Sequence, residues 1–94
     1  MEKLKLINNK ELQRFEVQVG KYTPFVAYQL NGDVMYLNFA KVPRELEGQG
    51  VGKKMVEQVL SFTEQAGYKV VPVCGFIGAI IQRNKRWHGL LKKA

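Results

Sequence analysis

The amino-acid sequence predicts an α/β (α+β) protein, an antiparallel sheet followed by a strand-helix-strand crossover, on three observations. Two apolar runs flank Asn31-Gly32-Asp33, a strong hairpin signal. From Val51 to Ala66 apolar residues recur at three- and four-residue spacing, as on one face of a helix. Directly after Gly67 comes a short apolar run, Lys69 to Cys74, of the kind that forms a buried parallel strand.

Taken in order, residues 12–19 alternate: Gln13, Phe15, Val17 and Val19 fall on one side, Leu12, Arg14, Glu16 and Gln18 on the other. That period of two predicts a strand with one buried face. Residues 22–30 form the second strand, at an edge or starting late because Pro24 lacks an N–H for the ladder. Residues 34–42 pair with it across the hairpin. The helix spans 50–66, with Met55, Val56, Val59, Leu60 and Phe62 toward the core and Lys54, Glu57, Gln58, Ser61 and Gln65 toward water. Gly67 ends it as a left-handed cap. The strand 69–74 follows, and a last helix starts near residue 76, with Ile77, Ile80 and Ile81 inward, then turns between Asn84 and His88.

Ninety-four residues suit one domain, 1–94, long enough to bury a core without disulfides. One cysteine excludes an internal disulfide framework and fits a reducing, cytoplasmic setting. The start, Met1 to Ile7, mixes charges among its apolar residues and is neither a signal peptide nor a membrane span. Net charge is +7, and no acidic residue follows Glu64, so the C-terminal third is basic. Such a face attracts polyanions, whether nucleic acid or a phosphorylated cofactor, although solvated lysines on a small domain look the same.

The stretch Arg44 to Lys54 places Gly48, Gly50 and Gly52 directly before the long helix. Glycines admit positive φ and close approach, and free N–H groups at the helix start then face an anion. Spacing separates the known loops of this kind. A nucleoside-triphosphate loop needs glycine where Glu47 stands and Ser or Thr where Lys54 stands. A dinucleotide turn needs glycine at Lys53.

What remains resembles the pyrophosphate loop of the GNAT N-acetyltransferase superfamily: Arg or Gln, two residues, Gly, one residue, then Gly or Ala, with Gly50 and Gly52 at the small positions. Val70-Val71-Pro72-Val73-Cys74-Gly75-Phe76 is similar to the strand end of a short, single-domain branch of that superfamily, and Val42-Pro43 to its strand end before the loop. Order and spacing agree from Arg14 to Leu91. Two positions depart from the pattern: Glu47 stands where Arg or Gln is usual, and Phe39 where many short-branch members carry a His.

The resemblance implies an acetyl-CoA-binding N-acetyltransferase-like domain acting on an amine, small molecule or protein. Coenzyme A would lie against Gly48, Gln49, Gly50, Val51, Gly52 and Lys53, and its pantetheine arm in a gap between two parted strands. Cys74, at a strand end, would be a nucleophile if a helix start or cation activates it, or else a buried small hydrophobe. Direct transfer needs no acyl-enzyme; Tyr36 or Cys74 would then protonate the departing thiolate. His88, Trp87 and Tyr68 read more simply as surface and helix-end packing residues, and no cluster suits a metal. A CoA binder without turnover and a small basic nucleic-acid-binding module stand as alternatives, in a monomer or dimer with no membrane association.

Overall fold

The computed structural model describes residues 4–93; residues 1–3 of the charged N-terminal stretch and residue 94 lie outside it. A five-stranded sheet runs in chain order, β1 (Leu6–Asn9), β2 (Arg14–Val17), β3 (Phe25–Asn31), β4 (Val34–Lys41) and β5 (Lys69–Pro72). The first four strands pair antiparallel, and β5 joins β4 in parallel after the crossover helix α1 (Val51–Ala66). α2 (Gly75–Arg83) and a 3-10 segment, Lys85–Leu90, complete the chain. The mixed α/β class and the order of elements are as the sequence predicts.

The boundaries differ for local reasons. The strand expected at 12–19 covers only Arg14–Val17, because Lys10–Gln13 is a turn in which Gln13 takes φ +53°. Val19 pairs with Tyr22 alone, around Gly20 at φ +60°. The strand expected at 22–30 begins at Phe25, after Pro24, and the one expected at 34–42 stops at Lys41. Gly50 caps α1 instead of joining it, and the strand expected at 69–74 ends at Pro72 because Val73 and Cys74 turn into α2, which starts at Gly75. β1 has no counterpart in the expectation. It is held by tertiary bonds: the Tyr28 hydroxyl donates to Asn8 Oδ1 at 2.7 Å, and the Gln58 amide pairs with both backbone groups of Leu4 at 2.6 and 2.7 Å.

All the helices lie on one face of the sheet. Phe15 and Val17, Val26 and Tyr28, Met35 and Leu37, and Val70 alternate toward that face and pack with Met55, Val56, Val59, Leu60, Ile77, Ile81 and Trp87. Burying such side chains stabilises by about 1.5–3 kcal/mol each relative to exposure. Phe62, expected in the core, is 37% exposed and reaches it only edge-on, 5.3 Å from the Phe15 ring. Thr63 takes the buried position next to it, its hydroxyl donating to Leu60 O at 2.8 Å. Among the described residues no helix lies on the opposite face of the sheet. No helix among the described residues is long and apolar enough to cross a membrane.

β5 is closed on its outer edge by the C-terminal segment, where Leu91 bridges to Val70 and the Lys92 N–H donates to Val70 O at 2.9 Å. On its inner edge the ladder with β4 is short, running from Val34↔Lys69 to Leu37↔Pro72.

Candidate functional site

The sheet opens where that ladder stops. Leu37 O accepts the N–H groups of both Val73 and Cys74, at 3.0 and 3.2 Å, and beyond it β5 turns away into α2 while β4 continues to Lys41 paired with β3 alone. β4 bends at the same point. Ala27 faces Phe39 and Tyr28 faces Leu37, so Asn38 is an extra, bulged residue that kinks the strand outward. The backbone edge of Phe39 to Lys41 is thus left without a strand beside it.

The chain then leaves β4 through Val42-Pro43 into a 3-10 turn, Arg44–Leu46, pinned by the Leu46 N–H donating to Pro43 O at 2.9 Å and by the buried Leu46 side chain. Gly48 at φ +80° and Gly50 at φ +77° reverse it into α1. Only glycine takes that left-handed region without strain. A cleft of about 380 Å³ results, between the end of β4 (Ala40, Val42), the loop (Leu46 to Gly48) and the first turn of α1 (Gly50 to Lys53), with Phe76 of α2 as the far wall.

The helix end facing this cleft is electrostatically incomplete. Gly50 supplies no side-chain cap, the first turn holds no acid, and the earliest helical bond is Lys54 N–H to Gly50 O at 3.1 Å. The N–H groups of Val51, Gly52 and Lys53 therefore have no partner within the helix. Lys53 and Lys54 add positive charge to an end that already carries about half a positive charge from the helix dipole. An anion placed there satisfies both.

The three glycines divide their work. A Cβ on Gly48 would meet nothing within 4 Å, so its need is conformational. A Cβ on Gly52 would stand 3.2 Å from Phe76 Cζ and from Val42 Cγ2, so Gly52 lets α1 close against β4 and α2. Its role is packing the wall of the cleft, which no local pattern reveals. Gln49 stands apart from the other loop candidates: its N–H donates back to Leu46 O at 3.4 Å and its side chain to Glu45 O at 3.3 Å. Gly48, Gly50, Val51, Gly52 and Lys53 all line the cleft. Glu47 lines it too, on an exposed stretch of loop with Arg44, Lys53 and Lys54 as the neighbouring cations.

The three other residues weighed from the sequence fall elsewhere. Cys74 is the N-cap residue of α2, half-buried against the core, with no side-chain hydrogen bond among the described residues. His88 is exposed on the C-terminal 3-10 segment, its Nε2 3.4 Å from Gln82 O. Tyr36 lies on the uncovered face of the sheet, between Gln29 and Val71 in register. The structure thus unites the loop residues and separates them from Tyr36. Phe76, which the sequence reading quoted only as part of the strand-end segment, and Ala40, which it did not single out, belong to the cleft; their place in it is visible only once α2 and the bend in β4 are placed.

A family model described as GCN5-related N-acetyl-transferase matches residues 14–90. Among solved structures, the chain is similar to a GCN5-like candidate N-acetyltransferase from Staphylococcus aureus, at 18% identity and a TM-score of 0.73, over 100% of this chain and 93% of that one. No curated protein matches. The solved structure shares this fold, and the family match runs from β2 through the loop and the parted strands to the last turn. The chain belongs to the GCN5-related N-acetyltransferase family.

Proposed function

We propose that the chain binds coenzyme A and acetyl-CoA at the α1 cleft and transfers the acetyl group to an amine. The observation that carries the reading is the uncapped α1 N-terminus, opened by left-handed Gly50, facing a cleft whose opposite wall is the end of β4 beyond its ladder with β5. The N–H groups of Val51, Gly52 and Lys53 would hold the pyrophosphate, with Lys53 adding charge. The helix terminus contributes about 0.3–1 kcal/mol of electrostatic stabilisation for such a group. The free edge of Phe39 to Lys41 would hold the pantetheine amides as an added strand would. Acetyl-CoA, when bound, supplies a thioester whose carbonyl carbon takes the amine nitrogen as the CoA thiol leaves.

Glu47 fits this reading because it is exposed and screened, and the cations at 44, 53 and 54 outnumber it. Cys74 and Tyr36 remain the groups proposed to protonate the leaving thiolate. An acyl-Cys74 intermediate is the weaker route, since the thiol is half-buried and lacks a histidine partner among the described residues.

Isothermal titration with CoA and acetyl-CoA tests the binding. No heat at millimolar ligand sinks the proposal. Intact mass measurement after incubation with acetyl-CoA tests the acyl-enzyme route, which predicts one acetyl group that disappears in Cys74→Ala. A second reading, binding without turnover, is favoured by the exposed Phe39, a ring that cannot accept a proton, beside the parted strands. CoA binding with no thiol release in the presence of any amine would establish it. The exposed cations Arg83, Lys85, Arg86, Lys92 and Lys93 keep a polyanion surface open as a separate property, read by a steep salt dependence.

A further inference from the structure

We propose that the adenosine end of coenzyme A is held in a second recess, between α1 and α2, where Arg83 takes the 3′-phosphate and makes the site select CoA over its 3′-dephospho form. The proposal rests on the CoA-binding reading and deepens it.

The recess measures about 240 Å³ and is lined by Lys53, Glu57, Phe76, Ile80, Arg83 and Asn84. Lys53 and Phe76 also line the α1 cleft, so the two spaces adjoin across the Phe76 ring. A pocket for a whole drug-sized ligand holds roughly 300–1,000 Å³. The recess is too small for that, and suits one end of a molecule that begins next door. With the pyrophosphate at the α1 N-terminus and the pantetheine along β4, the adenosine end is the part of CoA still without a place.

Two ways out of the cleft are open to it. Beside the loop, a hollow of about 200 Å³ is lined by Gln49, Gly50, Lys53, Lys54 and Glu57, with no apolar wall for a purine. Between the helices that wall exists. Ile80 is buried, and Phe76 is 48% exposed with its ring lodged over Gly52, where a Cβ would come within 3.2 Å of it. An aromatic ring held in place and half open to water is a surface on which a base stacks.

The polar groups match the rest of that end. Among the described residues the ion pairs are Arg14 with Glu16 and Arg86 with Glu64, so Arg83, Lys53 and Glu57 are all uncommitted. Lys53 and Glu57 stand one turn apart on α1, and Arg83, the last residue of α2, closes the groove from the other side. A guanidinium offers donors in a planar fork that binds a phosphate bidentately. A carboxylate only accepts, which suits the adenine amine and repels a phosphate. The recess therefore has a direction, with the 3′-phosphate toward α2 and the base amine toward Glu57. Lys53, at the junction, remains with the pyrophosphate.

The test compares CoA with 3′-dephospho-CoA by isothermal titration. The unaltered chain should bind CoA about tenfold more tightly, the effect of one charge-assisted contact. Arg83→Gln should remove most of that preference by weakening CoA while dephospho-CoA stays where it was, and Arg83→Lys should keep part of it. Arg86→Gln deletes an equally exposed arginine that pairs with Glu64, and should leave the preference intact. Equal affinities of the unaltered chain for the two cofactors overturn this proposal and leave CoA binding standing. So does Arg83→Gln weakening both cofactors alike, or Arg86→Gln erasing the preference as fully, since overall charge would then be what the 3′-phosphate feels. No heat with either cofactor overturns the CoA reading and this proposal with it.

Discussion

Gly50 and Gly67 stand at the two ends of α1 with nearly the same backbone, φ +77° and +84°, and the helix is finished at one end only. At Gly67 the loose carbonyls are used: its N–H donates toward Glu64 and Thr63, and the Tyr68 N–H donates to Thr63 O at 3.0 Å. At Gly50 no described residue caps the helix, and two lysines follow where the dipole favours acids. The same residue type and geometry thus serve structure at one end and a ligand at the other. What separates them is the accounting of hydrogen bonds, which motif matching does not supply.

The comparison is broken outright by Leu60→Ala. Leu60 is fully buried between the two ends, so a loss of about 2–5 kcal/mol in urea unfolding is expected, with both ends failing together. Next come the paired glycine substitutions. Gly50→Ala and Gly67→Ala should each cost about 1–2 kcal/mol, the strain of a left-handed alanine, yet only Gly50→Ala should also weaken CoA, by about tenfold. Equal CoA affinities in the two variants would erase the distinction. Lys53→Glu sharpens it in the other direction. An acid in the first turn should stabilise the free protein by about 0.3–1 kcal/mol while lowering CoA affinity. A variant that loses both would mean that the helix end is satisfied without a ligand.

The smallest effect lies away from α1, on the uncovered face. Hydrogen bonding from Arg14 holds the Glu16 carboxyl below its ordinary range; burial, the next largest effect, opposes it, and the Asn9 hydrogen bond and the Arg14 charge add smaller help. A depressed folded value means that this stability is fully present above the unfolded carboxylate pKa and is lost as pH falls through the folded one. Glu16→Gln should therefore flatten the acid side of the stability curve slightly and change nothing at neutral pH and above in the CoA titration.

Legibility followed the range of the interactions. α1 and the β3–β4 hairpin rest on local periodicity and an Asn-Gly turn; α1 and β4 were readable to within a residue, while β3 starts three residues later than expected, after Pro24. β1 was not: Leu6-Ile7-Asn8-Asn9 shows no alternation, and its partners are residues 14–17, Tyr28 and, through Leu4, Gln58. Nor was the bulge at Asn38, which carries no glycine and exists because β3 and β4 slip by one residue there. At the site, the loop was visible as a cluster of glycines, but the reason for Gly52 lies in Val42 and Phe76, ten residues before it and twenty-four after. Phe62 was misplaced because a stripe read at helical spacing does not say how wide the sheet beneath it is.

The closure of β5 by Leu91 and Lys92 bears on handling this protein. An open strand of Val70 and Val71 is a template for pairing with another chain, and Leu91 and Lys92 occupy that template. The Lys69 ammonium, donating to Gly89 O at 2.7 Å, holds the returning segment in place. A purification tag at this end therefore belongs behind a spacer, and a chain trimmed at Gly89 should precipitate during expression where the full chain does not.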